Sequence, residues 1–175
     1  MIKGDKLILR AVENEDIELL WKWANDPETM LFYDSVFPRS FEEISEEAKR
    51  WIERVDRTAA GFMVQLYDGA SIGFISLHAL EWKNRCGSLF INLGEKEFRR
   101  KGYGAEAINL LTDHAFQNLN LHRVQVEVSG YNLGAINLFK RCGFNVEGEL
   151  REKVFMFGRY HNVVLMSLLA REKML

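Results

Sequence analysis

The residues best placed to do chemistry lie together at Arg99-Arg100-Lys101-Gly102-Tyr103-Gly104-Ala105, an R-x-x-G-x-G run. Hydrophobic patterning puts this run between a strand ending Ile91-Asn92-Leu93 and a helix opening at Tyr103. A helix start carries unpaired backbone N–H groups and a partial positive charge. Glycines there let the backbone approach a ligand closely. Together they suit a pyrophosphate, and the basic residues add longer-range attraction. Two other phosphate motifs fit less well. The G-x-x-x-x-G-K-[ST] loop is absent, and a dinucleotide fingerprint normally opens a parallel β-α-β unit near the N-terminus. On the motif alone, a glycine-rich helix entry with solvated basic residues explains the run equally well.

Other side chains could move a proton, each with a plainer structural role beside it. His78, in the strand Ser71–Trp82, is a candidate base because imidazole titrates near neutrality; a hydrogen-bonded structural histidine is the plainer role. Glu81 is weaker still. Tyr131 ends a strand and is a candidate acid, or a packed ring with a wet hydroxyl. Asn132 suits a ligand contact and equally an N-cap. Ser129 reads as a turn residue, and Cys142 as a small apolar filler. His114, His122 and His161 have no carboxylate at a telling spacing.

The elements that must position these groups follow from periodicity and turn chemistry. Lys6–Val12 reads as a first strand, and Asn14 as the cap of a helix carrying Leu19, Leu20, Trp23 and Ala24. Asn25-Asp26-Pro27 stops that helix. Ser40-Phe41-Glu42-Glu43 matches a capping box for a second helix with Ile44, Ala48, Trp51, Ile52 and Val55 on one side. Strands over 61–67, 71–82 and 88–93 are joined by short turns, Asp68-Gly69 being the clearest. A helix over 103–116, a strand over 123–128 and a helix over 132–141 follow. Gly143 ends that helix, and two long strands meet near Gly158. The order β-α-α-β-β-β-α-β-α-β-β predicts one mixed α/β domain over 1–175, with a mostly antiparallel twisted sheet flanked by helices.

With that order, the chain resembles the GNAT superfamily of acyl-CoA N-acyltransferases from Lys6 to Met166. Arg99–Gly104 is similar to the family's [QR]-x-x-G-x-[GA] motif. The strand ending Ile91-Asn92-Leu93 looks like its splayed strand. Asn132-Leu133-Gly134-Ala135-Ile136 with Gly143-Phe144 resembles its N-x-x-[AS]…G-F segment. Val146–Leu150 and Gly158–Asn162 resemble two branches, the ribosomal-protein N-terminal and the spermidine N-acetyltransferases. The resemblance implies that acetyl-CoA is the cosubstrate, with no metal. Arg99, Arg100, Lys101, Gly102, Tyr103, Gly104 and Ala105 would hold the pyrophosphate. Asn92, Leu93 and Gly94 would pair with the pantetheine arm like an added strand. Asn132 and Phe139 would complete the cofactor site, and an N–H at Leu93 would stabilise the developing oxyanion.

Two positions depart from the family pattern. Phe139 stands where relatives often carry a tyrosine acid, and Leu89 where many carry a glutamate. A thiolate leaving group needs limited help, a thiol pKa being about 8.5, and positioning supplies much of the rate. Tyr131 and His78 are the substitutes expected to act. A catalytically weak acyl-CoA sensor is the alternative reading.

The resemblance implies that the early helices and their loop, in the first third, cover the acceptor side. Eleven acids lie between Ala11 and Arg50 (Glu13, Glu15, Asp16, Glu18, Asp26, Glu28, Asp34, Glu42, Glu43, Glu46, Glu47), against Lys22, Arg39, Lys49 and Arg50. Such a field would draw a polyamine or a peptide N-terminus, though solvated helix exteriors carry acids anyway. Tyr33 and Asp34, in the aromatic loop Leu31–Asp34, are the candidate acceptor contacts. The net charge of −2 argues against a nucleic-acid partner. Cys86 and Cys142 lack metal-ligand spacing. With no leader-like or membrane-length apolar run, the expectation is a cytoplasmic protein without a membrane partner. The apolar last strand, Val163–Leu169, leaves a homo-oligomer open.

Overall fold

The computed structural model describes residues 1–31, 37–53 and 58–173. Among these, eight strands form one sheet in the order β1-β2-β3-β4-β5-β6-β8-β7. The strands are β1 (Ile2–Lys3), β2 (Leu7–Ala11), β3 (Ala60–Leu66), β4 (Ser71–Glu81), β5 (Cys86–Asn92), β6 (Arg123–Ser129), β7 (Asn145–Met156) and β8 (Arg159–Leu169). The helices are α1 (Ile17–Ala24), α2 (Pro27–Met30), α3 (Phe41–Ile52), α4 (Tyr103–Gln117), α5 (Leu133–Arg141) and α6 (Ala170–Lys173). Every adjacent strand pair is antiparallel except β5–β6. The mixed α/β expectation therefore holds.

Strand alternation sends side chains to two apolar layers. Ile75 and Leu77 of β4 and Leu89 of β5 join Ala107, Leu111 and Ala115 of α4 and Ile136 of α5 in the larger core. Phe74 of β4 and Met63 of β3 face the other way. They meet Leu20 and Trp23 of α1 and Ile44 and Ala48 of α3, with Trp51 and Phe90 packed alongside. The i, i+4, i+7 spacing of Ile44, Ala48 and Trp51 sets the buried stripe of α3. Ser40 caps that helix as expected, its Oγ accepting from Glu43 N at 3.1 Å.

Three local details differ from the sequence expectation. A two-residue strand, β1, precedes the expected first strand. The turn before α1 is closed by Glu13 N donating to Asp16 Oδ2 at 2.9 Å, so Asn14 is not its cap. Asp26-Pro27 ends α1 and also opens α2. Proline fits the first helical position, and Asp26 Oδ1 accepts from Thr29 N at 3.0 Å.

Candidate active site

The one parallel pair creates the opening. β5 and β6 are in register only at Cys86–Arg123, Gly87–Val124 and Ser88–Gln125. Beyond Ser88 the strands diverge, so Leu89–Asn92 and Val126–Ser129 are not paired with each other. Parallel strands end on the same side of a sheet. The chain leaves β5 for α4 and leaves β6 for α5, so both helix N-termini flank the open end. A crevice beyond the carboxyl ends of strands, facing helix starts, is a general ligand position.

The glycine turn closes one side of it. Gly102 caps α4 with φ +91, a left-handed conformation that side chains rarely adopt, and has no side chain to occupy the helix's free N–H groups. Arg100 also has a positive φ, of 62°. Gly104 packs so closely that a Cβ would lie 3.3 Å from Leu138 Cδ2 and 3.5 Å from Leu93 Cδ1. These N–H groups fit a pyrophosphate, and the unpaired half of β5 fits an extended pantetheine-like chain. On the opposite side, Asn132 Oδ1 accepts from Ala135 N at 3.1 Å, so it caps α5.

The basic residues of the motif are not equivalent. Arg99 donates through Nε to the Leu93 carbonyl at 2.9 Å and through Nη1 to Glu28 Oε1 at 2.9 Å. It clamps the turn to β5 and to α2. Lys101 Nζ stands 5.5 Å from the centre of the Phe98 ring. Phe139, expected beside the cofactor, is only 3% exposed and lies edge-on to Phe144 at 5.1 Å. It shapes the wall from within the core, and Leu89 is buried in the same layer. On β5 the residues that line open space on the α1–α3 face are instead Phe90 and Asn92.

Phe90 and Asn92 border a cavity of about 650 Å³ between the sheet and helices α1–α3. Its walls are aromatic: Trp23, Trp51, Phe74 and Phe90. Its polar groups include Ser76, His78, Arg39, Glu47 and Arg50. Gly94 fixes one wall, because a Cβ there would fall 2.2 Å from the Trp23 indole. Glu95 holds the same ring, accepting from Trp23 Nε1 at 2.9 Å and from Lys22 Nζ at 2.8 Å. These donors pull its carboxyl below the usual range.

His78 lines this cavity, but at its far end. It pairs with Ser88, whereas Asn92 pairs with Phe74. Four residues of strand separate the two levels, about 13 Å at ~3.3 Å per residue, so His78 does not reach the mouth of the crevice directly. A bulge follows it: Ala79 has φ 49°, and the register shifts between His78 and Glu81. Such bulges re-aim neighbouring side chains. Partial burial lowers the imidazole pKa below 6.5, which keeps it neutral near pH 7.

Tyr131 sits at the open end, just after β6. Its hydroxyl donates to the Leu31 carbonyl at 2.6 Å, and its ring meets His161 and Phe157 edge-on at 4.8 and 5.6 Å. Tyr131 and Asn132 follow the carboxyl end of β6 and Leu93 and Gly94 that of β5, the same side of the sheet, whereas His78 stands apart. Tyr33 and Asp34 lie outside the described residues. Among the described residues, five of the eleven acids counted in the first third are in ion pairs. Asp16 pairs with Arg10, Asp26 with Lys96, Glu28 with Lys96 and Arg99, and Glu43 and Glu47 with Arg39. The negative field expected from composition is therefore offset in part, and Glu13, Glu15, Glu18, Glu42 and Glu46 have no ion pair among the described residues.

Comparison with known proteins agrees with this geometry. A family model described as an acetyltransferase (GNAT) domain matches residues 6–145. A spermidine N(1)-acetyltransferase of Vibrio cholerae is 30% identical over 166 residues, covering 95% of this chain and 94% of its own. A Bacillus subtilis protein provisionally named a ribosomal N-acetyltransferase is 37% identical over 107 residues, 61% of this chain and 58% of its own. The solved structure of the Vibrio cholerae spermidine N-acetyltransferase with CoA and spermine superposes with a TM-score of 0.91 at 29% identity, covering 98% of this chain and 100% of that one.

Proposed function

Because the chain belongs to the GNAT acetyltransferase family and is an acetyl-CoA-dependent N-acetyltransferase, we propose that it acetylates a primary amine of a polyamine, with the 175 residues working as one catalytic domain. The observation that carries this is the aromatic cavity ending at Asn92, beside the diverging strands. An extended amine with methylene spacers packs its carbons on Trp23, Trp51, Phe74 and Phe90, and its ammonium groups gain cation–π attraction from the same rings. Relatives from Vibrio cholerae and Escherichia coli act, by name, on spermidine.

Acetyl-CoA brings the acetyl group as an activated thioester, and the chain's residues hold and orient it. The turn N–H groups from Arg100 to Ala105 take the pyrophosphate, and Asn92, Leu93 and Gly94 take the pantetheine arm. The Leu93 N–H faces the carbonyl oxygen as charge develops there. The amine attacks directly in a ternary complex, which positioning makes efficient. Tyr131, released from Leu31, gives its hydroxyl proton to the departing thiolate and regains one from solvent. His78, neutral near pH 7, receives the amine proton through water rather than by contact. Asn132 orients the cofactor side of the opening.

A peptide N-terminus is the second acceptor class, favoured by one observation. Arg50 borders the cavity with no ion pair among the described residues, which suits a carbonyl-rich or carboxylate-bearing acceptor. Thiol release from acetyl-CoA, run with spermidine, spermine and short free-N-terminal peptides, tests the assignment. Saturable release with the polyamines supports it. Release with the peptides alone moves the acceptor to the second class. Acetyl-CoA binding without release for any amine would overturn the enzymatic reading in favour of a sensor.

A further inference from the structure

We infer that Lys6, far from the glycine motif in sequence, is a phosphate contact for coenzyme A. The inference rests on the cofactor lying at the α4 N-terminus. The turn between β1 and β2 is bound to that helix. Glu106, in the first turn of α4, accepts from Lys6 N at 2.7 Å and from Leu7 N at 3.3 Å. Gly4 N donates to Leu7 O at 2.9 Å, and Tyr67 Oη donates to Gly4 O at 2.6 Å. A Cβ on Gly4 would fall 2.5 Å from Glu106 Oε1, so the turn is seated tightly against the helix.

This seating carries the Lys6 side chain across the cap of α4. Its Nζ lies 3.9 Å from the position a Gly102 Cβ would take. No carboxylate pairs with it among the described residues. A cation beside the positive end of a helix is unfavourable alone, since that end prefers anions. The same cation becomes favourable once a phosphate bridges it and the free N–H groups. The motif's own charges are partly spent, Arg99 on Leu93 and Glu28 and Lys101 on the Phe98 ring. Arg100 also has no carboxylate partner among the described residues, so Lys6 adds a second mobile charge beside that of the motif. The ligand group is a phosphate of coenzyme A, either the pyrophosphate or the 3′-phosphate.

Calorimetric titration of CoA and of dephospho-CoA into wild type, Lys6→Gln and Lys6→Arg tests this without turnover. Lys6→Gln should weaken CoA binding about tenfold, the order expected for one charge-assisted hydrogen bond, and Lys6→Arg should recover most of it. The wild-type advantage should shrink at high salt. An equal loss with dephospho-CoA places the contact at the pyrophosphate. A loss confined to CoA places it at the 3′-phosphate. The Glu106 contacts use backbone N–H groups, so the melting temperature of Lys6→Gln should match wild type. Unchanged CoA affinity in Lys6→Gln overturns the inference, as does a loss that appears only with a lowered melting temperature. A wild type that does not bind CoA overturns the cofactor assignment beneath it.

Discussion

The Tyr131 hydroxyl donates to the Leu31 carbonyl at 2.6 Å, joining the loop after β6 to the end of α2. One side of the bond belongs to the crevice between β5 and β6, and the other to the helices over the aromatic cavity. The phenol thus ties the loop after β6 to α2, and the proposed acid role would add to that tie.

Replacement of Tyr131 by Phe separates those roles. As an acid, Tyr131 should contribute about 10² to the rate, so Tyr131→Phe should lower kcat by roughly that factor. The KM for acetyl-CoA should stay near wild type. A rise in acceptor KM with kcat intact would reduce Tyr131 to a tie. Steady-state kinetics read the difference.

Gly94 and Trp23 make a second pair. An alanine at 94 would place its Cβ against the indole, and overpacking of this kind costs about 1–3 kcal/mol. Gly94→Ala should lower the melting temperature and raise the acceptor KM more than the acetyl-CoA KM, because the displaced ring is a cavity wall. Thermal unfolding and two-substrate kinetics check it.

How much was legible beforehand follows from where the information sits. The glycine turn, the Ser40 cap and the Gly143 helix stop (φ +89) are local features, so the residues themselves announce them. The splay of β5 from β6 is not local. It emerges from a register that holds for three pairs and then ends. Lys6 reaches the motif only through a β1–β2 turn held by Glu106, and no spacing reveals that. The contacts of Arg99 to Leu93 O and Glu28 are set by tertiary packing, so its place in the motif does not reveal them. The acid-rich first third suggested a field because composition counts charges and not ion pairs. His78 was found by type, but its distance from the crevice depends on strand register.

His78 gives a pH prediction. Burial holds its pKa below 6.5, so it is neutral at pH 7 and becomes cationic only as pH falls through that lowered value. A charged imidazole in the cavity repels a polyamine and no longer accepts a proton. The value of kcat/KM for spermidine should therefore gain an acid limb below pH 6.5 that His78→Gln lacks. An identical acid limb in the variant would remove His78 from the account.

Stability has its own acid dependence. Glu147 bridges to Arg123 through both oxygens, at 2.5 and 2.6 Å, and also takes the Ser167 hydroxyl, linking β7, β6 and β8. The Arg123 hydrogen bonds, then that of Ser167, lower its pKa from 4.5 to about 2. The unfolded chain binds the proton first, so this contribution is complete above pH 4.5 and is lost as pH falls toward 2. The pair is partly solvated, which keeps the effect modest. Glu147→Gln should be less stable than wild type at pH 7, with the gap closing between pH 4.5 and 2 in denaturant titrations.

The central claim, direct transfer from acetyl-CoA to a polyamine amine, is tested most directly by initial rates of thiol release with acetyl-CoA and spermidine varied together. Intersecting double-reciprocal lines, with release that requires spermidine, are the predicted result for attack in a ternary complex. Parallel lines would indicate an acetylated enzyme intermediate. Either parallel lines or release that ignores spermidine would contradict the account.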